Sequence, residues 1–164
     1  MAQYPFYEAK YIKAQKTPSE FSLYDPLPLF RREFELTEDV RESKIFVQSP
    51  GFATYYINGT KITEDIFISA VSNYGEILWY NEYEVTSLLK KGKNTVCVIA
   101  GNGFFNESFR TPWIYNEASF RDAPQFLLSL IVNGESVLVS DENFRASKEL
   151  HTSMIASASP CGTY

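Results

Sequence analysis

Histidine and cysteine are scarce in this 164-residue sequence, which contains one histidine and two cysteines. A single histidine excludes metal sites that need several, and any histidine-dependent catalytic triad would have to use His151. His151 lies in a serine-rich stretch with no nucleophile elbow around it, so no triad is expected. Two cysteines cannot form a four-cysteine zinc site, and one histidine cannot complete a site of two cysteines and two histidines.

Long apolar runs and excess positive charge are missing as well. No uninterrupted run of about 18 apolar residues occurs, so we expect no transmembrane helix and no membrane partner. Met1 to Pro5 lack a basic region followed by an apolar core, which predicts no signal peptide and a cytoplasmic location. The formal net charge of -5 argues against a nucleic-acid-binding domain.

The two cysteines lie in different surroundings. Cys97 lies within residues 95–100, an apolar run typical of a strand, which favours a buried free thiol that acts as a small apolar residue. A disulfide between Cys97 and Cys161 is the alternative, although no spacing pattern supports it. The free thiol favours a reducing compartment.

Aromatic residues, by contrast, make up 16% of the sequence, and apolar and polar residues alternate along several segments. The pairs Asn58-Gly59 and Asn133-Gly134 each separate two apolar runs. Asn-Gly at such a place is typical of a type I′ hairpin, because both residues tolerate positive φ. Many short strands joined by turns predict an all-β fold, an antiparallel β-sandwich or jelly roll.

Other segments predict the remaining elements. We expect strands over 77–85 and 95–100, and one or two helical turns over 86–92 that a hydroxyl residue begins and Gly92 ends. Residues 101–124 form a long connection, and long connections in compact domains often carry function.

Five segments in order resemble one protein family. They are LFRREFEL (29–36), YYINGTKI (55–62), YEVTSLLKKGKN (83–94), AGNGF (100–104) and VSDENFRAS (139–147). Together they resemble the N-terminal accessory domain of bacterial α-L-rhamnosidases, the enzymes of glycoside hydrolase family 78. The resemblance implies a jelly roll like that of galactose-binding domains.

The resemblance also implies that the catalytic residues lie in another domain of the parent chain. In the family, the acid and base carboxylates belong to a separate helical barrel, and no segment here is similar to it. We therefore expect no catalytic residues and no hydrolysis by this chain alone, while the parent chain would remove terminal α-L-rhamnose from glycosides. Residues 1–150 are expected to form the β-sandwich domain, and residues 151–164 a partial tail that leads to the parent's next domain.

Two loops have the composition of a carbohydrate site, in which aromatic rings stack on sugars and amides bind the hydroxyls. The candidate residues are Asn102, Asn106, Trp113, Tyr115 and Asn116 in the long connection, and Asn73 and Tyr74 in the segment before residue 81. Structural alternatives exist for three tryptophan and asparagine positions. Trp113 would plug the end of the sandwich, Trp79 would be a core strand residue, and Asn102 would cap a turn between Gly101 and Gly103.

The remaining expectations concern calcium and partners. Some domains of the family bind rhamnose through calcium with an Asp-Asn pair, which this sequence lacks; the nearest oxygen cluster includes Glu64 and Asp65. These two are the candidate calcium ligands, and no other cofactor is expected. The expected role is recognition of a rhamnose-containing carbohydrate or support of the parent's other domains, with a protein-binding sandwich that binds no sugar as the alternative.

Overall fold

Ten strands form two antiparallel sheets in the computed structural model, which describes residues 5–20, 26–66 and 68–147. The first sheet contains β1 (Ile12–Lys13), β3 (Ser43–Gln48), β6 (Asn81–Glu84), β8 (Gln125–Val132) and β9 (Glu135–Val139). In this sheet β8 pairs with β1, β3 and β9, and β3 also pairs with β6.

The second sheet is ordered β10-β2-β7-β4-β5. Its strands are β2 (Leu29–Leu36), β4 (Phe52–Ile57), β5 (Thr60–Lys61), β7 (Gly92–Gly101) and β10 (Arg145–Ser147). Because β3 belongs to the first sheet and β4 to the second, the short connection through Ser49, Pro50 and Gly51 carries the chain from one sheet to the other.

The core lies between the two sheets and contains apolar side chains from both. Phe126 of β8 is fully buried, and its ring lies 5.0 Å from that of Phe30 and 6.3 Å from that of Tyr55, both in the opposite sheet. Phe144 completes the group at 5.4 Å from Phe126. Burial raises the pKa of the Tyr55 phenol far above its ordinary value. This packing confirms the predicted all-β sandwich.

Both Asn-Gly pairs form the predicted hairpin turns. Asn58 and Gly59 have φ values of 50° and 85°, and Asn133 and Gly134 have 52° and 88°. Positive φ at both central residues is the type I′ requirement, so the local sequence accounts for both turns. The side-chain oxygen of Asn133 also accepts a hydrogen bond of 2.9 Å from the backbone N–H of Arg41.

The segment before β6 differs from the prediction. The predicted strand over 77–85 is wrong for residues 77–80, which lie outside any strand, and Trp79 is 59% exposed rather than part of the core. The predicted helical turns are reduced to a single 3-10 turn, Thr86–Leu88, whose start has no side-chain cap. Gly92 opens β7 with φ 88° instead of ending a helix.

Cys97 lies on β7 and is fully buried, as expected, but it takes part in a disulfide bond, so the prediction of a free thiol is wrong. Cys161, His151 and the tail over 151–164 lie outside the described residues. Among the helices of the described ranges, none has the length and apolar character needed to cross a membrane.

An ion pair joins β2 to the segment before β10. Arg32 donates a hydrogen bond of 3.0 Å to Asp141, and Asn143 donates two more to the same carboxylate, from its backbone and side-chain nitrogens. Burial raises the pKa of Asp141, but the hydrogen bonds from Asn143 and the charge of Arg32 outweigh burial. The pKa of Asp141 therefore lies below its ordinary value.

Asp141→Asn is expected to lower the free energy of unfolding at neutral pH, because it removes the charge that pairs with Arg32. The loss should be only about 1 kcal/mol, since solvent screens this partly exposed pair. A depressed folded-state pKa stabilises the fold above the unfolded pKa of about 3.9, and this contribution is lost as the pH falls through the folded value. In urea unfolding, the difference in free energy of unfolding between the unchanged chain and Asp141→Asn should therefore become smaller at acidic pH. Asp39→Asn, at an exposed carboxyl, is the control; a difference independent of pH would contradict the role of charge.

Candidate functional site

The long connection over 101–124 and the loop before β6 meet in one aromatic cluster. Its members are linked ring to ring, and they are Tyr74, Phe104, Phe105, Trp113, Tyr115 and Phe120. Three of them, Tyr74, Trp113 and Tyr115, are among the residues that sequence reasoning had selected. We call this group the aromatic cluster.

Trp113 and Tyr115 form the outer part of the aromatic cluster. Their rings are nearly parallel, with an interplanar angle of 16° and centroids 6.4 Å apart. Phe104 supports both rings edge-on, at 5.5 Å from Tyr115 and 6.5 Å from Trp113. Trp113 nevertheless remains 66% exposed. The indole is therefore held in place while most of its surface faces solvent.

Tyr74 brings the second loop into the aromatic cluster. Its ring lies 5.1 Å from Phe120 and 5.6 Å from Phe105, in both cases edge to face. Partial burial, and to a smaller extent Tyr115, raise the pKa of the Tyr74 phenol. The neighbouring Asn73 is exposed, and its backbone oxygen closes a turn by accepting hydrogen bonds from Glu76 and Ile77.

Asn106 lies beneath the aromatic cluster and is fully buried. Its side-chain oxygen accepts a hydrogen bond of 3.0 Å from the backbone N–H of Ser19. Its side-chain nitrogen donates to the Ser19 hydroxyl at 2.8 Å and to the side-chain oxygen of Asn102 at 2.9 Å. The Asn106 amide thus fastens the long connection to the N-terminal segment and has no surface to offer a ligand.

Asn116 has a different environment. Its side-chain oxygen is buried and accepts no hydrogen bond from the described residues. A buried acceptor without a donor costs free energy, and this oxygen is one of two buried side-chain polar atoms without a partner among the described residues of the long connection, with the Nε of Arg121. Asn102 is half-buried, and its backbone oxygen accepts a hydrogen bond from Asn106, as a residue in a tight turn does.

Ile114, between the two outer rings, has a strained backbone. Its φ and ψ of 55° and 33° lie in the left-handed region, which a β-branched residue rarely adopts. Strain of roughly 1 to 3 kcal/mol persists only where the surrounding structure enforces it, often at functional sites. Here the left-handed residue sets the relative orientation of Trp113 and Tyr115. The sequence around Ile114 contains no signal that predicts it.

Sequence reasoning also missed the exposed apolar side chains of the loop before β6. Ile77 and Leu78 are 52% and 38% exposed, and Trp79 is more exposed than either. The apolar run over 77–80 predicted a strand with Trp79 in the core, but these four residues have no strand partner. The signal that could have identified it is the high aromatic content close to the turn at Asn73 and Gly75.

The calcium candidates lie apart from the aromatic cluster in sequence. Glu64 and Asp65 are both exposed. Asp65 accepts a hydrogen bond of 3.3 Å from the hydroxyl of Tyr83, and its backbone oxygen accepts one of 3.1 Å from Lys61. Within the described ranges, no three or more His, Cys, Asp and Glu side chains are grouped so that they could hold a metal ion.

The two sheets form a β-sandwich module, and the loops of the aromatic cluster give it a partly exposed aromatic surface. Residues 38–157 match the family model described as the alpha-L-rhamnosidase N-terminal domain. The chain therefore belongs to this family.

Known proteins of the family are much longer. An α-L-rhamnosidase of Formosa agariphila is 29% identical over 126 residues, a match that covers 72% of this chain and 13% of that protein. The solved α-L-rhamnosidase of Aspergillus terreus matches with a TM-score of 0.76 and 22% identity, over 87% of this chain and 17% of its own. The enzyme of Dictyoglomus thermophilum gives a TM-score of 0.70 at the same identity and coverage. These structures share the fold.

Proposed function

We propose that this domain is the N-terminal unit of a longer α-L-rhamnosidase. We also propose that the two loops of the aromatic cluster pack against another part of that polypeptide. The parent chain would hydrolyse terminal α-L-rhamnose from glycosides. Membership of the family supports the first part, and so does the Formosa agariphila relative, of which the match covers 13%.

The exposure of large apolar side chains is the observation that supports packing against another part of the polypeptide. Most of the exposed large apolar residues in the described part of the chain belong to the two loops that meet in the aromatic cluster. They are Ile66, Val71, Ile77, Leu78, Trp79, Tyr80, Trp113 and Ile114. Apolar surface of this kind marks a contact with another protein surface, because its burial is favourable. Tyr74 contacts Phe105 and Phe120, so the two loops are joined at this point.

The ion pairing and pKa shifts of the carboxylates favour a domain that is not catalytic by itself. Glycoside hydrolysis needs two carboxyl groups that face one cleft, one of them with a raised pKa. Here Asp122 pairs with Lys13 at 2.7 Å, and Asp141 pairs with Arg32. A hydrogen bond from the hydroxyl of Thr86 lowers the pKa of Glu84, the opposite of what a catalytic acid requires.

Carbohydrate contact at the same place is the second candidate role. The nearly parallel rings of Trp113 and Tyr115 and the exposure of Trp113 favour it. A rigid, exposed indole can stack on the apolar face of a sugar. L-rhamnose is the sugar that the parent activity indicates.

Hydrogen–deuterium exchange distinguishes the two roles. We expect the amides of residues 73–80 and 113–117 to exchange about tenfold more slowly in the enzyme that contains this domain than in the chain alone. Trp113→Ala should reduce this protection, whereas Tyr7→Ala, which removes another highly exposed ring, should not. Equal exchange in chain and enzyme would reject docking. Protection of the chain alone by millimolar L-rhamnose, with or without calcium, would favour the sugar-binding role.

A further inference from the structure

We propose that the edge strand β10 and its neighbour β2 in the second sheet form an oxyanion site, in which Arg31 and Arg145 bind a carboxylate or sulfate group. The site is separate from the aromatic cluster and does not depend on the function proposed for it. We call it the arginine site, and it consists of Arg31, Arg32, Glu33, Asn143 and Arg145, which line a cavity of about 260 Å³.

The strand register places two positive charges directly opposite each other. Arg145 of β10 pairs with Arg31 of β2 in the antiparallel ladder. Side chains directly opposite in such a ladder lie close together, and like charges there destabilise the sheet. An anion between the two guanidinium groups would turn this repulsion into two attractions.

The hydrogen bonding of the two arginines is incomplete. Arg31 donates to Glu33 through one terminal nitrogen, but its Nε is buried and has no acceptor among the described residues. Arg145 is exposed and forms no ion pair within the described ranges. Buried donors are normally paired, so the Arg31 Nε is a vacant position for an acceptor. Arg31 is one of the residues that line the cavity.

The charge of the arginine site is positive although the whole chain is acidic. The hydrogen bond and charge of Arg31 lower the pKa of Glu33, and Lys93 and Arg145 lower it further, so several cations surround this one carboxylate. Arg32 is already paired with Asp141. Among the described residues Arg145 forms no ion pair, and Glu33, the nearby carboxylate, is already paired with Arg31, although the chain as a whole has a net charge of -5.

The chemistry of guanidinium groups selects the ligand class. Their planar donors match the oxygen pairs of carboxylate and the tetrahedral oxygens of sulfate. Both oxyanions could be substituents of an acidic saccharide, as a uronic acid or a sulfate ester. Sulfate and D-glucuronate are therefore the two probes, and their relative affinities distinguish the two sources.

NMR of arginine Nε–H groups tests the arginine site in the 164-residue chain. We expect the Arg31 signal to shift and saturate at roughly 1 to 10 mM of one or both probes, with sodium chloride used to match ionic strength. Arg145→Gln should weaken binding roughly tenfold, and Arg31→Lys should weaken it although it retains the charge. Glu33→Gln should strengthen binding, because it removes a competing carboxylate.

Arg41→Gln is the matched control, since Arg41 is exposed and lies outside the arginine site. Its affinity for the probes should equal that of the unchanged chain. Shifts that rise linearly with salt, that chloride reproduces, or that survive Arg145→Gln unchanged would overturn the proposal. The aromatic cluster would be unaffected by that result, so its proposed role stands or falls separately.

Discussion

Asn106→Ala is expected to lower the free energy of unfolding by about 3 kcal/mol. The substitution leaves the buried backbone N–H of Ser19 without its acceptor and takes the donor away from the Asn102 side chain. Each buried polar group left unpaired costs roughly 1 to 3 kcal/mol, and the lost side chain also leaves a cavity. Urea unfolding monitored by circular dichroism gives the free energy directly.

Asn73→Ala is the matched control for this substitution. Asn73 is an exposed asparagine of the neighbouring loop, so its replacement should change stability by less than about 0.5 kcal/mol. We also expect the fluorescence of Trp113 to change in Asn106→Ala, because the amide fastens the base of the loop that carries the indole. Equal stability of the two variants would show that the Ser19 contact does not hold the loop.

The sequence was most informative where a local rule decides the structure. Asn58-Gly59 and Asn133-Gly134 form the predicted turns because positive φ is a property of those residues and needs no distant partner. Along β3, Ile45 and Val47 are both buried, as side chains that alternate on one face of a half-buried strand should be. Patterns of this kind define the sandwich before any tertiary contact is known.

The sequence was less informative where a contact joins distant segments. Asn106 had the right residue type for a sugar contact, but its bonds to Ser19 cross 87 positions in the chain. Trp79 lies in the continuous apolar run over 77–80, yet β6 begins only at Asn81, and the ring is exposed. An apolar run indicates a potential strand, and it does not reveal whether a neighbouring strand is there to pair with it.

The aromatic cluster falls between these cases. Its composition identified both loops, and Tyr74 meets Phe105 and Phe120 as a shared site requires. The left-handed Ile114 could not be predicted, since its own preference opposes that conformation and only the surrounding packing enforces it. Local preference and tertiary packing therefore conflict at the residue that orients the outer rings.

Gly51→Ala is expected to destabilise the domain by about 2 to 3 kcal/mol, because a side chain there collides with the base of the long connection. A Cβ at Gly51 would lie 2.4 Å from the backbone oxygen of Gly101 and 2.7 Å from that of Asn102. Backbone atoms cannot move aside as a flexible side chain can, so β4 and the loop base must separate. Gly75→Ala is the control, since its Cβ would meet only a side-chain oxygen of Asn73 at 3.8 Å. Urea unfolding should separate the two variants clearly; a Gly51→Ala midpoint equal to that of Gly75→Ala would mean that the close approach does not position the aromatic loop.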